Sequence, residues 1–314
     1  DAVISYVDGD DEEWVKSKNK YSEIGNKTSE ATSQWRFKSN DEALYCIKSI
    51  NKFATFFRRI YLVMATPSQI PPWINEVSKL GIPLEIVYHA QFYIDKTHLP
   101  TFNSTSIEAN LHNIKGLSEY FVYFNDDMFL GDYVTKNDFI TPDGTLLTQL
   151  DRADSESGTP PTQKEIGYNS AWKNINKMLD KLFPDTKPSS LFYRHWFTYV
   201  YKPDYRIGWN RNVIKHVPSI QRKSTHIKLK TIFHDEFFSN SKSKFRSTSI
   251  YNTSAGLSEY YELYTGGAIQ YNVPSISIHA MDSTLWNYAS FSIISSSTFK
   301  FINIQSSISD PAAD

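Results

Sequence analysis

One cysteine, Cys46, stands in a chain of 314 residues. A single thiol excludes an intrachain disulfide and a cysteine-based zinc site, and it fits a reducing compartment such as a bacterial cytoplasm. An excess of one charge is missing too: 33 Lys and Arg face 34 Asp and Glu. Without surplus cations the chain cannot neutralise phosphates along a nucleic acid, so no nucleic-acid partner is expected. A small phosphate-bearing ligand needs only a few local cations and stays open. No run of about 20 apolar residues occurs, so no helix is expected to span a bilayer. No repeat is seen, and no signal peptide is expected. The chain opens on DAVISYV, strand-like from its first residue. The expectation is that the natural N-terminus lies upstream, and that contacts with a membrane or an export machinery would run through such segments.

What is present is material for a core. Apolar residues make up 40% of the chain and aromatics 15%, which argues against general disorder. AVISYV (2–7) reads as a strand, followed by a turn at Asp8-Gly9-Asp10. NDEALYCIKSINKF (40–53) puts Leu44, Ile47, Ile50 and Phe53 on one helical face, with Asn40 or Asp41 as the expected N-cap. RIYLVMA (59–65), LEIVYH (84–89) and YFVYFN (120–125) read as strands, and STSIEANLHNI (104–114) as a helix capped by Ser104 or Ser106. Strands alternating with helices predict an α/β fold with a largely parallel sheet flanked by helices. Ligands of such sheets sit beyond the carboxyl ends of the strands. Asp8, His89 and Asp126-Asp127 close three of them, so these groups are expected on one rim.

The second half reads less regularly. DRADSESGTPPTQKE (151–165) is a polar surface loop by composition, and NSAWKNINKMLDKLF (169–183) a helix. SEYYELYTGGAI (258–269) reads as helical up to Gly266, VPSISIHAMDS (273–283) as a strand ending at Asp282, and YASFSIISSSTFKFINI (288–304) as β-rich. Residues 1–150 are therefore expected to form the α/β core that carries the ligand-binding rim. Residues 151–305 would complete the site, partly packed on the same sheet, and 306–314 would be a tail.

The stretch YFVYFNDDMFL (120–130) poses the chemical question. Two adjacent carboxylates, Asp126 and Asp127, follow a buried-looking strand and precede more apolar residues. Such a pair suits a solvated turn, or a site where a cation sits between the groups. A metal-nucleotide enzyme wants hard oxygens at a strand end to bridge Mg²⁺ to a diphosphate. Asn103, Ser104 and Ser106 lie at a predicted helix start, where free N–H groups favour anions. Glu108 and His112 are four apart on that helix, the spacing of an ordinary surface pair as well as of a site. His216, Arg222 and Arg246 supply a titratable group and two bidentate cations, though lone His and Arg are more often solvated surface groups.

Taken together these stretches resemble the Stealth family of hexose-1-phosphate transferases, which includes bacterial capsule polymerases and the lysosomal-targeting GlcNAc-1-phosphotransferase. AVISYVDGDDEEW resembles its first block, a strand ending in W-V-D-G-x-D-x-x-W. The stretch from RFKSNDEALYC to ATPSQIPPWI resembles the start of the second block, and LPTFNSTSIEANLHNIKGLSEYFVYFNDDMFL its end. KHVPS resembles the H-x-P element of the third, KFRS a downstream Arg, and HAMDS a degenerate form of the closing N-D motif. Among members, the chain looks most like the serogroup X type, which polymerises GlcNAc-1-phosphate.

The resemblance implies a GT-A-like nucleotide-sugar fold and a cytoplasmic enzyme at the inner face of the membrane. The implied reaction moves N-acetylhexosamine-1-phosphate from a UDP-sugar donor to a hydroxyl of a phospho-glycan acceptor and releases UMP. Asp127, with Asp282, would hold Mg²⁺ or Mn²⁺ on the diphosphate. Asp126 and Asn125 would orient that site or the sugar. Asp8, Arg36, Asn40 and Asp41 would contact the nucleotide or shape its pocket. Asn103, Ser104 and Glu108 would hold donor or sugar hydroxyls. His216 is the first choice for general base and His112 the second. Arg246 would clamp the migrating phosphate, with Arg222 a further phosphate-binding candidate. Two other readings use the same residues: a metal-dependent glycosyltransferase that releases UDP, and a non-catalytic glycan-binding module whose aromatics stack on sugar.

Overall fold

The computed structural model describes residues 1–23, 37–154, 168–184, 212–280, 284–296 and 298–306. Its main sheet begins with β1 (Ala2–Ser5), β2 (Ile60–Met64), β3 (Leu84–Tyr88) and β4 (Tyr120–Asn125), all mutually parallel. Shorter strands follow: β5 (Met128–Leu130), β6 (Leu146–Thr148), β7 (Leu150–Asp154), β8 (Asn212–Ile214) and β9 (Ser219–Arg222). The last strands are β10 (Ala268–Gln270), β11 (Ser275–Ala280) and β12 (Phe301–Ser306). The main sheet has the order β3-β2-β1-β4-β9, with β9 antiparallel at one edge. The expected α/β class and largely parallel sheet are both present.

Side-chain alternation explains why the sheet is buried on both faces. Ala2, Ile4, Ile60, Leu62, Met64, Val122 and Phe124 point to one face. There they meet Ala43, Leu44, Cys46, Ile47 and Ile50 of a helix at Glu42–Phe53. Val3, Tyr61, Val63, Phe121 and Tyr123 point to the other, against Phe92, Tyr93, Leu111, Ile114 and Leu117. Numbered along the chain, the helices used below are α1 (Glu12–Glu23), α2 (Glu42–Phe53), α3 (Ser104–Glu108) and α4 (Tyr168–Leu182). After them come α5 (Lys223–Ile232), α6 (His234–Lys242), α7 (Glu259–Thr265) and α8 (Thr284–Ser296). None of the described helices is long and apolar enough to cross a membrane.

Several local expectations are corrected. Asp41 does precede α2, but in a left-handed conformation and with no capping bond; its carboxylate accepts from Trp73 Nε1 at 2.8 Å instead. The predicted 104–114 helix breaks into α3 and a 3-10 turn at Leu111–Asn113. Its cap is Asn103, whose Oδ1 accepts from the Thr105 backbone N–H at 3.2 Å, not Ser104 or Ser106. Residues 151–154 lie in β7, paired with β8, rather than in a loop; 155–165 lie outside the described residues. The largest difference is α8, a helix where strand was expected. Serine hydroxyls there bond carbonyls one turn back, Ser295 to Phe291 at 2.9 Å, so they do not compete with helix geometry from outside it. Ser290 is the one residue of the 285–296 stretch that is fully buried, so no apolar 3.6-residue period announces the helix.

α2 contributes five buried residues to the larger core cluster on one side of the sheet, so its interior should matter for stability. Ile47→Ala removes a fully buried side chain and is expected to cost about 3 kcal/mol. Equilibrium denaturant unfolding checks this.

Candidate active site

Because β1 to β4 run parallel, their carboxyl ends share one rim, and a cavity of about 290 Å³ opens there. Ser5, Tyr6 and Val7 line it from β1, Ala65 from β2, His89 from β3, and Asn125, Asp126 and Asp127 from β4. His216, Arg246 and Gln305 close it from the second half of the chain. An aromatic wall of Trp14, Phe37 and Phe102 completes it; Trp14 meets Phe37 and Phe102 edge-on, with ring centroids 4.9 and 5.3 Å apart. Gly9 lets the turn after β1 press onto this wall, since a Cβ there would stand 2.0 Å from the Phe37 carbonyl oxygen.

Strand register explains how distant residues meet. β9 pairs antiparallel with β4, Tyr123 opposite Ser219. The turn before β9 therefore falls beside the turn after β4. His216 Nε2 lies 3.4 Å from Asp127 Oδ2 and 3.3 Å from Asn125 Nδ2. β12 anchors the same turn from the other side: Ile304 N–H and Asn303 Nδ2 both donate to the Asp127 carbonyl, at 3.0 and 3.2 Å. The apolar residues after the two aspartates are β5, which leaves the main sheet to pair with β12. Arg246 is placed by a separate seam. Phe102 N–H donates to the Lys244 carbonyl at 2.8 Å, Asn103 Nδ2 to the Phe245 carbonyl at 3.4 Å, and Arg246 itself to Ser104 Oγ at 3.4 Å.

The rim is rich in carboxylates. Burial, then Asp127, then Glu42 push the Asp126 carboxyl up to about 7. Burial, reinforced by Asp8, Asp41, Asp126 and Glu42, raises the Tyr6 phenol. Asp127 Oδ1 is buried without a hydrogen-bond partner, an oxygen held ready for a ligand. A divalent cation fits it, because Mg²⁺ takes one or two carboxylates and completes its octahedron with water and phosphate oxygens. Among the described residues no group of three or more His, Cys, Asp or Glu is arranged to hold a metal, so the protein would supply part of the shell. Asp282 and Arg36 lie outside the described residues.

Other sequence candidates stand elsewhere. Asn103 is buried, with its side chain used by Thr105 and Phe245. Glu108 is buried and does not line the cavity; it accepts from the Ser254 backbone N–H at 3.0 Å and from Asn252 Nδ2 at 3.3 Å. Burial raises its carboxyl to about 7, against the pull of the Ser254 and Ala255 backbone N–H groups and of Arg246. His112 is a core residue, its ring 6.2 Å from that of His226, and burial lowers it to about 3. It lies off the cavity, so it is not placed to act as the second base. Arg222 pairs with Tyr120 at the far end of β4, where it bonds Glu262 at 3.0 Å and the Gly144 carbonyl at 2.9 Å. It cannot clamp a phosphate at the rim. Asn40 is exposed and donates to Glu42 Oε1 at 3.0 Å. Asp8 turns its carboxylate onto the Asp10 N–H at 2.9 Å, while Gln69 holds its backbone. The missed lining residues include Tyr6, Trp14, Phe37, Phe102 and Gln305; of these, the Trp closing the VDGDDEEW stretch carried a signal.

Residues 36–148 match the sequence profile described as Stealth protein CR2, conserved region 2. By this region the chain is similar to the Stealth family. Asn103 to Glu108, Asn125, Asp126 and Asp127 all fall inside the matched Stealth region, whereas His216 and Arg246 lie beyond it. An exopolysaccharide phosphotransferase of Streptomyces coelicolor is 32% identical over 266 residues, 85% of this chain and 39% of the relative. A capsular polysaccharide phosphotransferase of Haemophilus influenzae is 39% identical over 168 residues, 52% of this chain and 44% of the relative. The chain thus spans less than half the length of these curated relatives. Among solved structures, mouse xyloside xylosyltransferase 1 in its apo form aligns at TM-score 0.39 and 7% identity over 96% of each chain; a likeness at that score decides nothing.

Two outcomes check these placements. Arg222→Ala leaves the buried Glu262 carboxylate without its guanidinium, though the Thr225 hydroxyl still donates to it, and should cost about 3 kcal/mol in denaturant unfolding, with ligand affinity at the rim unchanged. Glu108 binds a proton more readily folded than unfolded, so its contribution to stability falls as pH rises from about 4.5 to about 7. Glu108→Gln should therefore flatten the decline of Tm with pH across that window.

Proposed function

We propose that this chain carries the catalytic centre of a phosphotransferase that moves a sugar-1-phosphate, most specifically N-acetylglucosamine-1-phosphate, from a UDP-sugar to a hydroxyl of a growing extracellular polysaccharide. The observation that carries the reading is the meeting of Asp127, His216 and Arg246 around one cavity at the strand ends. The names of the relatives point the same way. The sugar and the serogroup X likeness rest on the sequence resemblance alone.

Phosphoryl transfer needs charge neutralisation and in-line positioning more than covalent help. His216 would take the proton of the acceptor hydroxyl, and the freed oxygen attacks the sugar-bearing phosphorus. The bond from that phosphorus to UMP breaks, and UMP leaves with the electron pair. In the base form, with its ring proton on Nδ1, His216 Nε2 can accept from the Asn125 amide. Once Nε2 carries the acceptor's proton, Asp127 stands 3.4 Å away to stabilise the imidazolium. Arg246, which lines the same cavity beside Ser104, would meet the equatorial phosphate oxygens. Asp127, with Asp126 beside it and Asp282 as a further candidate, would hold Mg²⁺ or Mn²⁺, which when bound neutralises the diphosphate. The aromatic wall excludes water and offers flat surfaces to the nucleoside or sugar.

The test is incubation with UDP-GlcNAc, Mg²⁺ and a short phospho-glycan primer, followed by identification of the nucleotide released. UMP with primer elongation is expected; UDP would mean cleavage at the anomeric carbon and overturns the reading. Asp127→Asn is expected to lower kcat about a thousandfold, and His216→Ala about a hundredfold to ten-thousandfold. Full turnover in Asp127→Asn would remove the metal role.

A further inference from the structure

Among the described residues lining the cavity, two carry a buried polar atom with no hydrogen-bond partner: Asp127 at Oδ1 and His89 at Nε2. Asp127 has a part in the chemistry above; His89 has none. A buried donor or acceptor left unpaired costs about 1–3 kcal/mol, which pairing with a ligand relieves. Phe92 and Tyr93 pack around the imidazole, each with its ring centroid 5.9 Å away, and only 5% of His89 is exposed.

Strand register sets the two unpaired groups at opposite ends of one row. β1 pairs Ser5 with Asn125 of β4 and with Val63 of β2, and β2 pairs Met64 with Tyr88 of β3. Continued past the strand ends, that register aligns Asp127, Val7, Ala65 and His89 across the sheet, and all four line the cavity. Three strand spacings separate the ends, roughly 14 Å at about 4.8 Å per strand. Their characters differ. The two carboxylates of the lining come from the β4 end, whereas β1, β2 and β3 contribute no charged residue to it. Burial lowers His89 to about 3, so its ring is neutral at any working pH. A neutral imidazole donates from one nitrogen and accepts at the other, which suits an uncharged polar partner. Val7 and Ala65, between the ends, offer no side-chain hydrogen bond. A diphosphate alone is too short to touch both ends; a nucleoside diphosphate laid along the row is long enough.

Resting on the phosphotransferase reading above, we propose that His89 recognises the base of the nucleotide donor, hydrogen-bonding the imide edge of uracil while the diphosphate lies at Asp127. It is a binding residue that sets nucleotide specificity and takes no part in the transfer step. The imide edge alternates acceptor, donor, acceptor, so the unpaired Nε2 finds a partner there in either tautomer.

Isothermal titration calorimetry of the full chain with Mg²⁺ tests this with three probes: UDP, its N3-methyl analogue and inorganic pyrophosphate. The methyl group blocks the imide edge and leaves the ring free to stack. Wild type should bind UDP about tenfold tighter than the analogue, the effect of about one hydrogen bond to a buried group. His89→Leu should bind the two alike, with pyrophosphate affinity unchanged. Leucine keeps the bulk and removes an unpaired polar group, so the fold should persist. A wild type that binds UDP and its analogue equally overturns the proposal without any variant. So does a His89→Leu protein that keeps full discrimination, or one that loses pyrophosphate affinity to the same degree. If those failures come with UMP release in turnover, the phosphotransferase reading stands and this inference alone falls. A wild type that binds neither UDP nor pyrophosphate removes both.

Discussion

In an antiparallel ladder the paired residue numbers sum to a constant, so Tyr123 opposite Ser219 commits the 216–217 turn to the neighbourhood of Asn125 and Asp127. That one register joins residues some 90 apart in sequence. A slip of one residue would turn β9's buried Ile220 to the wrong face. The hydrophobic pattern of an edge strand therefore fixes where the histidine of the site stands. The same logic applies on the other flank, where β12 pairs with β5 and grips the Asp127 carbonyl with two donors.

Electrostatics divides the polar residues into two populations. Those at the rim are under-compensated: burial first, then the charges of Asp127 and Glu42, push Asp126 up to about 7, while Arg246 is the guanidinium lining the cavity. That arrangement costs stability in the free protein and is relieved when cationic charge arrives. The others are satisfied within the fold. Arg222 is spent on Glu262 and Gly144, Asn103 on its own helix and on Phe245, and Glu108 on the 252–254 backbone and side chain. Residues of one chemical type thus sort into ligand-directed and fold-directed roles by what already faces them.

The four parallel strands of the main sheet were legible because their signals are local, whereas its antiparallel edge strand β9 was not read. Short β-branched and aromatic runs bounded by Gly, Pro and Asp gave β1 to β4, and helical spacing gave α2. The second half was less legible because its signals are not local. α8 buries a serine and exposes its large residues, so its composition mimics a strand. The short strands β6 to β8 and β10 carry three to five residues each, too few for alternation to show. The aromatic wall was hidden for another reason: Trp14, Phe37 and Phe102 read as core anywhere, and only their shared boundary with a cavity sets them apart.

The sequence by itself determined the class of fold, the strand ends at which carboxylates gather, and the resemblance that names the family, because each depends on residues close together in the chain. Tertiary structure alone decided between like candidates. His216 stands at the cavity and His112 in the core, Arg246 at the rim and Arg222 at the opposite strand end, Ser104 in the lining and Asn103 and Glu108 beneath it. The physical reason is that a side chain's availability depends on burial and on which partners face it, and both are properties of contacts between segments far apart in sequence.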